Sequence, residues 1–176
     1  MKILMVILEI LKYTVPSVIV FLTASHLIKQ MLKAQERKSL IEYRKQTSKE
    51  VNPIRLQAYE RAILFLERIT PSNLVIRVHQ NRMNSAEMHT ELLSTIRAEF
   101  DHNLTQQIYM SSGAWEALRR AKEETIKIIN ISASKVDGGA PGINLSKSVL
   151  DMCMQVEKLP TQMAIDAIKE EVKQLF

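Results

Sequence analysis

The sequence predicts an all-α protein: an N-terminal transmembrane helix followed by a compact bundle of about five amphipathic helices. Three observations carry that expectation. From Ile3 to Ile28 the chain is almost wholly apolar, broken by Glu9 and Lys12. Only 4 Gly and 5 Pro occur in 176 residues, too few for a turn-rich β architecture, while Leu, Ile, Met, Ala, Glu, Lys and Gln dominate. Downstream, apolar residues recur at spacings of three and four, the period of a helix with one buried face. The length suits one domain plus an anchor, with residues 1–50 as anchor and basic extension and residues 51–176 as a helical cytoplasmic domain.

Charge distribution excludes a nucleic-acid domain. The sequence pI is about 9.4, but residues 1–50 hold nine Lys/Arg against four Asp/Glu, and residues 51–176 hold fifteen of each. The basic excess therefore lies outside the expected fold, where a nucleic-acid surface would need it. Cys153 is the one cysteine, so no intrachain disulfide can form. Its setting, Val149-Leu150-Asp151-Met152-Cys153-Met154, reads as core filling.

Between Lys12 and Lys29 lie sixteen residues without formal charge, about 24 Å of helix at about 1.5 Å per residue. Lys12 and Lys29 can reach the interface on their aliphatic stems, and Met31-Leu32 add apolar length, so residues 13–32 are the expected contact with a lipid bilayer. Glu9 and Lys12 share a face and can neutralise each other. Pro16 is tolerated in a membrane helix. A cleaved signal peptide and a buried soluble helix are the competing readings. Only Thr23-Ala24-Ser25 resembles a cleavage point, however, and apolar character resumes after it.

Lys29, Lys33, Arg37, Lys38, Arg44, Lys45 and Lys49 follow the span, against Lys2 and the amino terminus before it. That asymmetry places the N-terminus outside and the C-terminal domain in the cytoplasm. Lys29, Lys33, Arg37 and Lys38 are the expected contacts with lipid headgroups. Three Asn-x-Ser/Thr triplets, at Asn103, Asn130 and Asn144, are read as incidental.

The span is expected to continue as a polar helix to about Ser48, with Asn52-Pro53 restarting the chain as cap and first helical residue. Leu56, Tyr59, Ile63, Leu66 and Ile69 then trace one apolar face. Thr70-Pro71-Ser72-Asn73 marks a break. Leu74-Val75-Ile76-Arg77-Val78 fits a short strand or a helical turn; a strand would lack a partner, so helix is expected. Asn84-Ser85-Ala86-Glu87 is close to a capping box, opening a helix with Met88, Leu92, Leu93, Ile96 and Phe100 inward. Asn103 to Met110 prolongs or kinks it. Ser111-Ser112-Gly113 starts another helix, with Trp115, Leu118, Ile126 and Ile129 apolar. Lys135 to Gly142 reads as a flexible connector. A short helix from about Asn144 to Glu157 ends at Leu159-Pro160, and a last one from about Thr161 carries Ile165, Ile168, Val172 and Leu175 on one face.

No constellation reaches the level of a catalytic motif, so no enzyme activity and no cofactor are expected. Glu99 and His102 have the i, i+3 spacing of carboxylate-bridged metal bundles, but those need a second such pair and two more glutamates. The glycine-rich 135–142 stretch lacks the Gly-Lys-Ser/Thr ending of a phosphate loop.

At Leu66-Glu67-Arg68-Ile69-Thr70-Pro71-Ser72-Asn73-Leu74, at Glu99-Phe100-Asp101-His102-Asn103-Leu104-Thr105-Gln106-Gln107-Ile108-Tyr109, and at Ala114-Trp115, the chain resembles an uncharacterised bacterial family of short proteins with one N-terminal membrane helix and a helical domain of unknown function. The resemblance implies a bacterial inner membrane and brings no activity, cofactor or catalytic residue.

The expected role is a membrane-tethered interaction or scaffold module that binds a protein partner or itself. Arg61, Arg68, Arg77, Phe100, Tyr109 and Trp115 form the candidate partner surface, chosen because Arg and aromatic residues are enriched at binding hot spots. The alternatives are a metal-dependent enzyme using Glu99 and His102, and a structural envelope component acting by oligomerisation.

Overall fold

The computed structural model describes residues 2–175; within its first helix the side chains of residues 2, 4–10, 13, 44–48 and 50 are outside the described set, which includes the expected roles of Glu9, Arg44 and Lys45. The described chain is all-α. Helix α1 runs Lys2–Ile69, α2 Pro71–Val78, α3 Ser85–Asn103, α4 Ser112–Ala133, α5 Gly142–Met154 and α6 Pro160–Leu175, with a 3₁₀ turn at Leu104–Ile108 between α3 and α4. The chain divides into two units, Met1–Val51 and Asn52–Phe176.

In the first unit α1 stands with its described side chains in the open. Val18, Ile19, Val20, Phe21 and Leu22 are consecutive and each is at least half exposed. Successive residues turn about 100°, so these five present apolar surface in every direction.

The second unit is a helical bundle built on residues 52–69 of α1 and on α2–α6. Tyr59, Phe65, Leu66 and Ile69 from α1, with Leu74 from α2, are fully buried. Met88, Leu92 and Ile96 of α3 bury at the spacing of four that their sequence shows. Leu118 and Ile129 of α4, Leu145 and Val149 of α5, and Ile165 and Ile168 of α6 complete the core. Helix α4 is central, packing on α3, α5 and α6.

Local chemistry sets the helix ends. Asn84 closes α3 with a full capping box: Glu87 N–H donates to Asn84 Oδ1 at 2.8 Å, and Asn84 N–H donates to Glu87 Oε2 at 2.9 Å. Ser111 caps α4, its Oγ accepting from Ala114 N–H at 3.0 Å. Residues 74–78 lie within α2, which settles the strand-or-helix ambiguity in favour of helix.

Two expectations are corrected. Asn52-Pro53 does not restart the chain: both residues lie inside α1. Proline removes one amide donor and crowds one carbonyl, but the turns on either side keep their hydrogen bonds, so the helix continues. The boundary between the two units nonetheless falls beside it, after Val51.

The Lys135–Gly142 stretch is also no mere connector. Its carbonyls serve the open N-terminus of α3: Ser85 N–H donates to Ala140 O at 2.8 Å and Ala86 N–H to Gly138 O at 3.0 Å. Gly142 N–H returns a hydrogen bond to Met83 O at 2.8 Å. The first amides of a helix have no partner within it, and this loop supplies them. Gly142 is buried in the junction, and a Cβ there would lie 3.0 Å from Met83 O and 3.3 Å from Met88 Sδ. Gly142→Ala should therefore lower stability by about 1–3 kcal/mol, the usual range for overpacking, read as a lower urea midpoint. An unchanged midpoint would mean the loop yields freely.

Candidate interaction surface and apolar helix

Thr14–Tyr43 within α1 is long and apolar enough to cross a membrane, and its side chains are unburied. Several of its polar side chains find partners within the helix. Ser17 Oγ donates to Thr14 O at 2.8 Å, and Thr23 Oγ1 donates to Ile19 O and Val20 O at 3.0 and 2.9 Å. Such back-bonding satisfies hydroxyl donors where no water is at hand. Gln30 and His26, one turn apart, pair through their Nε2 atoms at 3.0 Å. Lys29, Lys33, Arg37 and Lys38, the expected headgroup contacts, are all exposed.

In the second unit the six surface candidates fall into two pairs and two separate residues. Arg68 and Arg77 converge on Glu99. Arg68 Nη1 lies 3.2 and 3.1 Å from its two oxygens, and Arg77 Nη2 lies 3.3 Å from Oε1. The arginines are more exposed than the carboxylate between them, so the group presents two guanidinium edges outward over one anion. Exposed pairs of this kind add only about 0–1 kcal/mol of stability; the arrangement is better suited to positioning donors than to holding the fold. Glu99 is thus committed to arginines, and His102 is exposed beside it. No group of three or more metal-ligating side chains occurs among the described residues.

Phe100 and Trp115 form the second pair. Their rings stack with centroids 5.6 Å apart, Phe100 meets buried Phe65 at 5.9 Å, and Lys122 Nζ sits 4.1 Å from the Phe100 centroid. Both rings are half-buried and pack on the core. The ammonium over a ring face is attracted by the π quadrupole. Because Glu99 and Phe100 are adjacent, the arginine pair and the aromatic stack border one another on α3. Arg61 is exposed and makes no ion pair among the described residues. Tyr109 is joined elsewhere: its carbonyl accepts from Arg55 Nε at 3.3 Å.

Sequence reasoning missed Lys122, Phe65 and a polar junction near Tyr109. In that junction Glu171 of α6 accepts from Tyr59 Oη and, through its other oxygen, from Ser111 Oγ at 2.6 Å. Ser111 N–H donates to Tyr59 Oη at 3.3 Å. One carboxylate thus ties α1, the cap of α4 and α6 together. Burial, then the hydrogen bond to Glu171, raise the Tyr59 phenol above its ordinary value of 10.0. A phenol whose pKa rises on folding stabilises the fold fully below the unfolded value and loses that contribution as pH climbs through the folded one. Stability should therefore fall above about pH 10 and the decline should be blunted in Tyr59→Phe, as thermal melts between pH 8 and 11 would read. Burial likewise pushes the Cys153 thiol up, so it is a poor nucleophile at neutral pH.

Asn103 is buried and its amide donates to Glu99 O at 2.7 Å, so its Asn-x-Thr triplet is not an accessible acceptor.

No curated protein and no solved structure matches the chain. A family model described as a family of unknown function (DUF7935) matches residues 5–175.

Proposed function

Since the chain belongs to the DUF7935 family, whose function is unknown, we propose that it is a membrane-tethered interaction module, held in a bacterial inner membrane by α1 and presenting residues 52–176 to the cytoplasm. The observation that carries the tether is the run Val18–Leu22, apolar on every side of α1 and exposed. Water penalises such a surface, and a hydrocarbon layer does not. Lys29, Lys33, Arg37 and Lys38 then lie at the cytoplasmic headgroups, where each charge contributes about 1 kcal/mol.

The bundle binds a protein partner through the face that joins Arg68, Arg77 and Glu99 to the Phe100–Trp115 stack, with Arg61 on the same helix as Arg68. Guanidinium edges beside half-buried aromatic rings suit a partner offering carboxylates around an apolar anchor. Holding the module in the bilayer raises its effective concentration for any partner in the same membrane. Photo-crosslinking in intact cells from position 64, exposed one turn before Arg68 on α1, compared with position 147 on α5, tests this. Recovery of a specific partner from position 64 is expected and should drop tenfold or more when Arg61, Arg68 and Arg77 are all replaced by Ala. Equal recovery from both positions would remove this face.

A further inference from the structure

Where α1 packs on the bundle, Glu60, Arg61, Leu64, Glu67 and Arg68 stay exposed between buried Tyr59 and Ile69. A helix turns about 100° per residue, so Leu64 lies at the centre of this face. Glu60 and Glu67 stand about 40° and 60° to one side of it, and Arg68 and Arg61 about 40° and 60° to the other. One edge of the face is therefore acidic and the other basic, with an exposed leucine between them.

These charges are spaced so that one helix cannot pair them. Opposite charges meet along a helix at three or four residues apart. Glu60 and Arg61 are adjacent, as are Glu67 and Arg68, and the doublet repeats after seven. Glu60, Arg61 and Glu67 make no ion pair among the described residues. Arg68 gives only Nη1 to Glu99, so its Nε and Nη2 donors are uncommitted.

We propose that the partner taken by this face is the same face of a second copy, with the two α1 segments parallel. This rests on the tether and the partner face given above. Two parallel copies are related by a twofold axis along the helices, which sets the acidic edge of each against the basic edge of the other. Glu60 then meets Arg61 of the second copy and Glu67 meets Arg68, each offset by about 1.5 Å along the axis, while Leu64 meets Leu64. An antiparallel pair would set acidic edge on acidic edge, so charge selects the parallel order, which is also the order of chains inserted in one membrane with one orientation. A second copy thus offers what the face suits, carboxylates around an apolar anchor. Four exposed ion pairs and one leucine pair make a weak contact. It forms because the bilayer holds the copies at high effective concentration.

The test uses the full chain in native membranes with Cys153→Ser and Leu64→Cys. Mild oxidation should give disulfide-linked dimers at least ten times more than Lys147→Cys, exposed on α5. Adding Glu60→Arg or Arg61→Glu sets like charges together and should cut the dimer about tenfold. Co-expressing those two variants, with tags of different size, should restore a heterodimer, because each supplies the charge the other lacks. No rescue, or a dimer unchanged or strengthened by Glu60→Arg, overturns the pairing. If Leu64→Cys gives no dimer while photo-crosslinking from position 64 captures a different protein, the second copy falls and the partner face stands. No adduct of either kind in a membrane-resident chain overturns both. A chain that leaves the membrane fraction overturns the tether as well.

Discussion

Val20→Arg should shift the full chain from the membrane pellet to the aqueous or misfolded fraction, by about 100-fold in the insertion equilibrium. Val20 lies at the middle of the uncharged run between Lys12 and Lys29, and it is 65% exposed on α1. An arginine at the centre of a membrane helix costs about 2.5–3.5 kcal/mol on insertion scales. The span has little to spare, because its uncharged run is shorter than a hydrocarbon core of about 30 Å and its mean hydropathy is only 1.4. Val20→Leu should leave partitioning unchanged. Ile41→Arg, past the headgroup lysines, should also be tolerated, since an arginine there meets headgroups instead of acyl chains. If Val20→Arg were as well retained as Ile41→Arg, the apolar girdle of α1 would have to be covered by protein and not by lipid.

Leu92→Ala should be the most damaging single truncation tested in the bundle, at about 2–5 kcal/mol. Leu92 has no exposed surface and sits between Met88 and Ile96 on the inward face of α3. Removing three carbons there costs transfer energy and leaves a void that a close-packed core fills only in part. Domain stability of about 5–15 kcal/mol makes that a large fraction of the total. Leu64→Ala is the control: Leu64 neighbours buried Phe65 in sequence, yet is 53% exposed, and should change stability by no more than about 0.5 kcal/mol. Trp115 is the one tryptophan in the chain. Stacked on Phe100, it provides a fluorescence reporter for urea unfolding in detergent. Equal effects of the two truncations would contradict the core assignment.

Much of the bundle was legible because its signals are local. Asn84 and Glu87 are three apart, and the cap they form needs nothing from the rest of the chain. Met88, Leu92 and Ile96 repeat at one turn, so α3 and its inward face follow from spacing. The errors arose where distant residues decide. Leu56 opened the expected apolar face of α1 but is 38% exposed, whereas Ala58 and Ala62 are buried. Alanine buries wherever helices approach closely, and an apolar pattern built on large side chains passes over it. Asn52-Pro53 has the chemistry of a helix start, but a proline inside a long helix reads the same way in sequence. The 135–142 loop looked passive because its partners, Ser85 and Ala86, lie some fifty residues earlier in the chain.

The candidate surface was legible in part for the same reason. Arg68, Arg77, Phe100 and Trp115 were selected by residue type, but their shared centre at Glu99 is tertiary. Glu99 was noticed for its spacing to His102, and its carboxylate is instead taken by two guanidiniums from α1 and α2. Lys122 could have been found: it lies two turns after Trp115 on α4, so the two share a face. Glu171 gave no signal, because a glutamate near a helix C-terminus reads as solvated until Tyr59 and Ser111 are brought to it.

The most direct measurement is the topology of the full chain in living bacterial cells. After lysis and an alkaline carbonate wash, the account expects the chain to remain in the membrane pellet. It also expects residues 52–176 to resist protease added to intact spheroplasts, becoming cleavable once the membrane is permeabilised. Extraction into the aqueous fraction, or digestion of residues 52–176 from outside, would contradict it.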